Sequence, residues 1–226
     1  MYSTSSPRSN PFPSIDLWHS DVSYELQPPS TTSLKLLTGP ETGGDTLWSS
    51  GYALYSSLSP GLQVYLEGLS ALHSAVAQAD GARAAGIPVR REPIETVHPV
   101  IRVHPATGWK SVYVNPGGTH SPSTPFPRST YRLTRSMKPD LWVARTRIIS
   151  IPHGIGFTRC ILGVPKAESD AMLAFLFAQI SQNHDFQVRF KWQLNDVAIW
   201  DNRVSVSLSP LFSPPLPSPP IFSPCD

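Results

Sequence analysis

The sequence predicts a mainly β domain, a barrel or jelly roll that carries added helices. Several short segments are rich in β-branched and aromatic residues and are separated by turns of glycine, proline and asparagine, which is typical of such folds. Helical periodicity is confined to two blocks, at about 51–69 and 167–180. With 226 residues, the chain is long enough for one sizeable domain with a hydrophobic core.

Strand-like composition and alternation predict the β elements in order. In the first half, strands are predicted at 17–24, 32–37 and 70–74, and a glycine-punctuated turn at 39–46 leads into residues 47–50. In the second half, strands 97–105 and 111–115 are predicted to form a hairpin, and further strands follow at 186–192 and 197–200.

Three other parts of the domain are predicted to be helical or irregular. Apolar spacing predicts two short helices from Gly51 and Pro60, and proline is favoured in a first helical turn. Residues 167–180 are predicted to form an amphipathic helix with acidic residues in its first turn. Residues 76–96 are predicted to be a mobile excursion.

Composition sets the limits of the domain. Residues 1–14 are predicted to be a flexible arm because they are rich in serine and proline, and the domain is placed at 15–206. Residues 118–156 are an atypical, turn-rich insert. The Ser/Pro/Leu/Phe repetition of residues 207–226 predicts a disordered tail, since proline cannot donate to a β ladder.

The charge and cysteine content exclude several classes of function. The formal net charge is +2 and lysine and arginine form no runs, which argues against nucleic acid or an anionic membrane as the main partner. We find neither a membrane-spanning apolar run nor the apolar region of a signal peptide. Two cysteines are too few for a disulfide framework. We therefore predict a cytoplasmic location, and the oligomeric state stays open.

One triplet near the N-terminus suggests a metal site. His19 and Asp21 are two residues apart, so on a strand both side chains would point to the same face. An imidazole and a carboxylate presented together are two of the three ligands of a 2-His-1-carboxylate site for non-haem Fe(II). Such a triplet carries little weight alone, and the rest of the chain must supply a third ligand and a cosubstrate site.

Five stretches of the chain carry motifs in a fixed order, namely Trp18–Tyr24, Gly43–Trp48, His98–Arg102, Val114–Gly117 and Asn195–Arg203. Together these stretches resemble the taurine dioxygenase-like (TauD/TfdA) family of Fe(II)- and 2-oxoglutarate-dependent dioxygenases. The resemblance covers about 17–117 and 157–206.

The resemblance implies a double-stranded β-helix with His19 and Asp21 as iron ligands and with Thr46 binding a carboxylate of 2-oxoglutarate. The implied reaction uses Fe(II), 2-oxoglutarate and O2 to oxidise a small organic anion, with release of succinate and CO2. Taurine or another alkyl sulfonate is the expected substrate class. Hydroxylation next to sulfur would release an aldehyde and sulfite.

The sequence departs from the family at the third ligand. The family's distal histidine would fall at position 207, which is serine here, and no arginine or lysine follows Arg203 to pair with the far carboxylate of 2-oxoglutarate. The alternatives are therefore a catalytically inactive, truncated family member or a noncatalytic small-anion binding module.

The departures suggest a hypothesis about the gene. Val206-Ser207 is what a 5′ splice site encodes when it is read in frame, and in the family pattern Gly117 would be followed directly by Phe157. The family also has a segment before the His19 strand that this chain lacks. We interpret residues 118–156 and 207–226 as translated introns in a gene product that has also lost its start.

The other candidate residues have simpler interpretations. His98 and His104 are predicted to be structural or surface residues, His184 a loop residue, and His73 either structural or close to the site. Arg203 is assigned to a turn motif, and Cys160 to a buried position without catalytic reactivity, since no base or second cysteine lies near it in sequence.

Overall fold

The computed structural model describes residues 17–39, 43–84, 86–89, 91–118 and 156–208. Within these residues the protein consists of short antiparallel strands and a smaller number of helices. The strands are β1 (Leu17–Trp18), β2 (Thr31–Lys35), β3 (Thr46–Ser50), β4 (Ser70–Ser74), β5 (Glu95–Pro99), β6 (Ile101–Val103), β7 (Lys110–Val112), β8 (Gly117–Gly118), β9 (Thr158–Ile161), β10 (Gln187–Phe190), β11 (Val197–Asp201) and β12 (Ser205–Leu208). The helices are α1 (Gly51–Ser57), α2 (Pro60–Glu67), α3 (Val76–Ala84) and α4 (Lys166–Gln182), and a 3₁₀ turn spans His184–Phe186.

Strand pairing joins distant parts of the chain. The strand orders in the sheets are β10-β3-β12, β5-β4-β9, β11-β2, β6-β7 and β1-β8. In the first sheet, Trp48 of β3 lies opposite Val188 on one side and Ser207 on the other. The predicted hairpin is confirmed by β6 and β7, in which Ile101 lies opposite Val112. The last described strand is thereby brought beside the N-terminal part of the domain.

Local sequence explains the helices. The Ser50 side chain caps α1 by accepting a hydrogen bond from the Ala53 N–H, and Pro60 occupies the start of α2. The predicted helix at 167–180 is confirmed as α4, whose buried residues Ser169, Leu173, Leu176 and Ile180 recur at helical spacing. This stripe faces the core, and α4 packs on β9.

The core combines residues from helices and strands. Leu54, Leu66, Leu176 and Val100 are almost completely buried, and they belong to one cluster that also includes Trp18. Burial of each such side chain contributes roughly 1.5–3 kcal/mol of favourable transfer free energy. This cluster holds the helices against the strands around the site.

Two predicted elements differ in the structure. The strand predicted at 17–24 ends after β1, apart from an isolated bridge at His19, and the chain then turns. Val22 has a φ of 41°, a left-handed value that is incompatible with a continuing strand. The excursion predicted at 76–96 contains the helix α3 and the beginning of β5. The Ser74 hydroxyl accepts a hydrogen bond from the Val76 N–H just before α3.

Some sequence predictions fall on residues that the structure does not describe. The arm at 1–14, residues 119–155 of the insert and residues 209–226 of the tail lie outside the described residues. The tail was predicted to begin at residue 207, but Ser207 and Leu208 belong to β12 and pair with β3. None of the described helices combines the length and apolar character that a bilayer span requires.

Candidate active site

His19 is held next to the end of β12. Its backbone N–H donates to the Ser207 carbonyl over 2.8 Å, and the Ser207 N–H donates to the His19 carbonyl over 2.7 Å. The Ser207 hydroxyl donates to the same His19 carbonyl over 3.2 Å. Residue 207, the position at which the resemblance implies a histidine, is therefore the direct neighbour of His19.

Asp21 lies within hydrogen-bonding range of the His19 ring. The distance from His19 Nε2 to Asp21 Oδ1 is 3.4 Å, while Asp21 Oδ2 accepts a hydrogen bond from the Thr32 hydroxyl over 2.8 Å. The interaction with His19 lowers the pKa of Asp21 below its usual value; burial opposes this shift, and the Thr32 hydrogen bond adds to it. The carboxylate is therefore ionised at neutral pH, the form in which carboxylates in general act as metal ligands.

The candidate site residues His19, Asp21 and Thr46 line a common cavity. It is lined by His19, Asp21, Thr32, Ser33, Leu34, Thr46, Trp200 and Ser207. The triplet near the N-terminus, the Gly-Gly-Asp-Thr turn and the strand after the Trp-Asp-Asn-Arg stretch thus meet at one place, although they are far apart in sequence. Antiparallel pairing of β2 with β11 and of β3 with β12 brings them together.

Thr46 begins β3 and its side chain is almost completely buried, with 1% exposure. The indole Nε1 of Trp192 donates to the Thr46 hydroxyl oxygen over 2.9 Å. A buried hydroxyl that is held in this way can act as a fixed polar group on the wall of the cavity.

Two side chains that line the cavity, His19 and Asp21, are suitable ligands for one divalent cation. An imidazole nitrogen and a carboxylate oxygen stand next to each other, as in a 2-His-1-carboxylate site. Among the described residues, no group of three or more His, Cys, Asp or Glu side chains could hold a metal ion. Ser207, at the position where the resemblance implies the third ligand, contributes only a neutral hydroxyl to the cavity lining.

Three other histidines have structural partners. His73 is fully buried; its Nδ1 lies 2.9 Å from the Ser23 hydroxyl, and burial lowers its pKa to about 3. His98 Nε2 lies 2.9 Å from the Glu25 carbonyl, and burial also lowers its pKa. His104 Nε2 lies 2.9 Å from an Asp201 carboxylate oxygen. These three side chains fasten loops and strands to each other.

Arg203 and Cys160 also lie apart from the cavity lining. The Arg203 guanidinium pairs with Asp201 within the turn after β11, and the carboxylate pKa of Asp201 is strongly lowered by this contact. The Cys160 thiol is partly buried, and burial raises its pKa, which disfavours the reactive thiolate.

Two asparagines next to the triplet were not singled out from sequence. Asn115 and Asn202 are each 1% exposed, and their side chains bind the backbone of Ser20 and Asp21, respectively. Both asparagines lie in stretches that carry the family resemblance, Val114–Gly117 and Asn195–Arg203. Their place in these stretches is the signal in the sequence that could have identified them.

The chain matches the model of the Taurine catabolism dioxygenase TauD, TfdA family over residues 2–206. The chain belongs to this family. A Schizosaccharomyces pombe protein, provisionally named as an alpha-ketoglutarate-dependent sulfonate dioxygenase, is 40% identical over 193 residues, which are 85% of this chain and 39% of the relative. The alpha-ketoglutarate-dependent sulfonate dioxygenase of Saccharomyces cerevisiae is 34% identical over 186 residues, or 82% of this chain and 36% of the relative. The chain thus spans less than half the length of these relatives.

Solved structures confirm the fold. A taurine dioxygenase from Burkholderia xenovorans superposes with a TM-score of 0.58 at 29% identity, covering 88% of this chain and 51% of that structure. The predicted jelly-roll fold and the resemblance to the TauD/TfdA family are both confirmed by these comparisons.

Proposed function

We propose that this chain carries the iron and 2-oxoglutarate site of a TauD/TfdA dioxygenase that acts on a small organic anion, with one iron ligand missing. The observation that carries the proposal is the placement of His19, Asp21 and Thr46 around one cavity, in a chain that belongs to this family. His19 and Asp21 would hold Fe(II), and Thr46 would bind a carboxylate of 2-oxoglutarate.

The residues of the chain suit these roles. Bound Fe(II), together with 2-oxoglutarate and O2, supplies oxidation of a C–H bond in this family, with succinate and CO2 as coproducts. Asp21 would bind as a carboxylate because its lowered pKa keeps it ionised. Trp192 fixes the Thr46 oxygen on the cavity wall, so that the hydroxyl keeps one position toward a bound carboxylate.

An alkyl sulfonate such as taurine is the substrate class that we favour. Two relatives carry sulfonate dioxygenase in their names, and a further relative from Acinetobacter baylyi, 28% identical, is named alkylsulfatase. Hydroxylation of the carbon next to sulfur would release sulfite and an aldehyde. The cytoplasmic location expected from composition stays a prediction.

A second candidate, an inactive family member, is favoured by Ser207. A serine hydroxyl is a poor ligand for Fe(II), and loss of even a residue that supports a ligand typically costs about 10–100-fold in metal affinity or activity. Residues 204–226 also contain no arginine or lysine that could pair with the far carboxylate of 2-oxoglutarate. We therefore expect the sequence as it stands to bind iron weakly and to turn over very little 2-oxoglutarate.

Succinate release tests this proposal. The purified chain is incubated with Fe(II), ascorbate, 2-oxoglutarate and taurine, beside a complete TauD/TfdA enzyme under the same conditions. We expect succinate release at least about a hundredfold slower than that of the complete enzyme, because a ligand itself is missing. Comparable rates in the two proteins would show that Ser207 does not limit the site.

A further inference from the structure

Asp21 lies in a turn, so strand geometry does not fix the direction of its side chain. Regular strand structure ends at Trp18, and only the bridge to Ser207 extends it to His19. The next residue after Asp21 is Val22, a β-branched residue with a φ of 41°. Such a conformation costs of order 1–3 kcal/mol and persists only where surrounding contacts enforce it.

Asn202 supplies contacts of this kind. Its Oδ1 accepts a hydrogen bond from the Asp21 N–H over 2.8 Å, and its Nδ2 donates to the Asp21 carbonyl over 3.1 Å and to the Pro29 carbonyl over 3.2 Å. One buried amide thus binds both backbone polar groups of Asp21, as a neighbouring strand would. The Asn202 backbone is itself fixed, because its N–H donates to the Ser30 carbonyl over 3.0 Å.

Thr32 and Asn115 complete this set of contacts. The Thr32 hydroxyl, on β2, donates to the Asp21 carboxylate over 2.8 Å and so sets the rotation of the carboxylate. Asn115 Nδ2 donates to the Ser20 carbonyl over 2.7 Å and to the Ser23 hydroxyl over 2.8 Å. The Thr158 hydroxyl fixes the Asn115 backbone, because its oxygen accepts a hydrogen bond from the Asn115 N–H over 2.7 Å.

We propose that Asn202 and Thr32 are positioning residues for the Asp21 carboxylate, and that Asn115 holds the backbone between the two ligands. This inference rests on the proposed function, in which His19 and Asp21 bind the metal. Hydrogen bonds to groups around a metal ligand keep the ligand in its binding orientation, and their loss typically weakens metal binding about 10–100-fold.

Co(II) binding tests the proposal without the need for turnover. The full chain with Ser207→His serves as the reference, because the added imidazole should give measurable affinity. Asn202→Ala, Asn115→Ala and Thr32→Val are made in this background, and Co(II) affinity is read from the visible absorption of the bound ion. We expect each variant to bind Co(II) at least about tenfold more weakly while its cooperative thermal unfolding is retained.

Asn183→Ala is the matched control. The Asn183 side chain binds Gln179 and the Asp185 N–H after α4, so its loss should change Co(II) affinity less than about twofold. Unchanged affinity in folded Asn202→Ala would overturn the proposal. If Asn202→Ala or Asn115→Ala does not fold, the test rests on Thr32→Val. Unchanged Co(II) affinity of Thr32→Val would then overturn the proposal. Absence of Co(II) binding in the Ser207→His reference itself would instead refute the proposed function, and the positioning role with it.

Discussion

Ser207 and His19 lie opposite each other and exchange two backbone hydrogen bonds of 2.7 and 2.8 Å. Opposite residues of an antiparallel pair point to the same face, with Cβ atoms about 4.5–5.5 Å apart. Both residues line the cavity that contains Asp21. A longer donor at position 207 would therefore enter the cavity beside the His19 ring.

Replacement by alanine should have opposite effects on stability at Gly51 and at Gly61. A Cβ at Gly51 would lie 2.3 Å from the Ser111 hydroxyl and 2.8 Å from the Val112 carbonyl, so α1 and β7 would have to separate. We expect Gly51→Ala to lower the free energy of unfolding by about 1–3 kcal/mol or more. The measurement is urea unfolding of both variants beside the parent chain.

Gly61 is the control for this pair, since no atom lies within 4 Å of its built Cβ. Gly61 is the second residue of α2, and alanine is favoured over glycine in helices by up to about 0.5–1 kcal/mol. Gly61→Ala should therefore be neutral or stabilising. Equal stability of the two variants would contradict the close approach of α1 to β7.

His73 should make the folded state sensitive to acid. Burial, together with the nearby His98 and Arg102, lowers the pKa of His73 from 6.5 to about 3. Between these values the unfolded chain binds a proton that the folded chain does not, so stability falls as the pH is lowered through 6.5. The loss should approach about 1.4 kcal/mol per pH unit, as measured by urea unfolding from pH 7 to pH 5.

His73→Gln should reduce this slope, because glutamine can keep a hydrogen bond to Ser23 but does not titrate. His98, whose pKa is lowered in the same direction, should leave a smaller slope in the variant. The lowered pKa values of Asp21 and Asp201 affect stability only below about pH 5, outside the measured range. An unaltered slope in His73→Gln would show that His73 is not the main titrating group.

Removal of residues 119–155 should leave the domain folded. The segments before and after them are in contact: Thr158 and Asn115 exchange hydrogen bonds, and a Cβ built on Gly156 would lie 2.1 Å from the Pro116 carbonyl oxygen. A short glycine-serine linker from Gly118 to Gly156 can span such a junction. The shorter loop should raise the free energy of unfolding by roughly 1–2 kcal/mol.

Thermal and urea unfolding of the deletion variant check this expectation, which follows from the interpretation of this segment as an insert. Cooperative unfolding at or above the midpoint of the parent chain would support that interpretation. Loss of cooperative unfolding would show that the domain depends on these residues.

The sequence predicted the regular elements better than the turns. The α4 stripe of Leu173, Leu176 and Ile180 and the β6-β7 hairpin follow local periodicity, which a single sequence displays. The turn at Asp21 was missed because valine, a β-branched residue, gives no signal for the left-handed conformation that Val22 adopts.

The candidate site was predicted only in part for a related reason. His19 and Asp21 are close in sequence, and their chemistry is visible there. Asn202 lies far from Asp21 in sequence, and its position directly after Asp201 is typical of an ordinary turn. Its contact with Asp21 depends on the pairing of β2 with β11, which no local pattern specifies.

Co(II) binding by the chain with and without Ser207→His tests the central claim most directly. Co(II) is a close substitute for Fe(II) in the affinity order of divalent metals. We predict that Ser207→His binds Co(II) at least about tenfold more tightly than the parent chain, because it adds a third ligand beside His19 and Asp21. His19→Ala in the same background should abolish the gain. Equal Co(II) affinity of the parent chain and Ser207→His would contradict the assignment of position 207 as the missing third ligand.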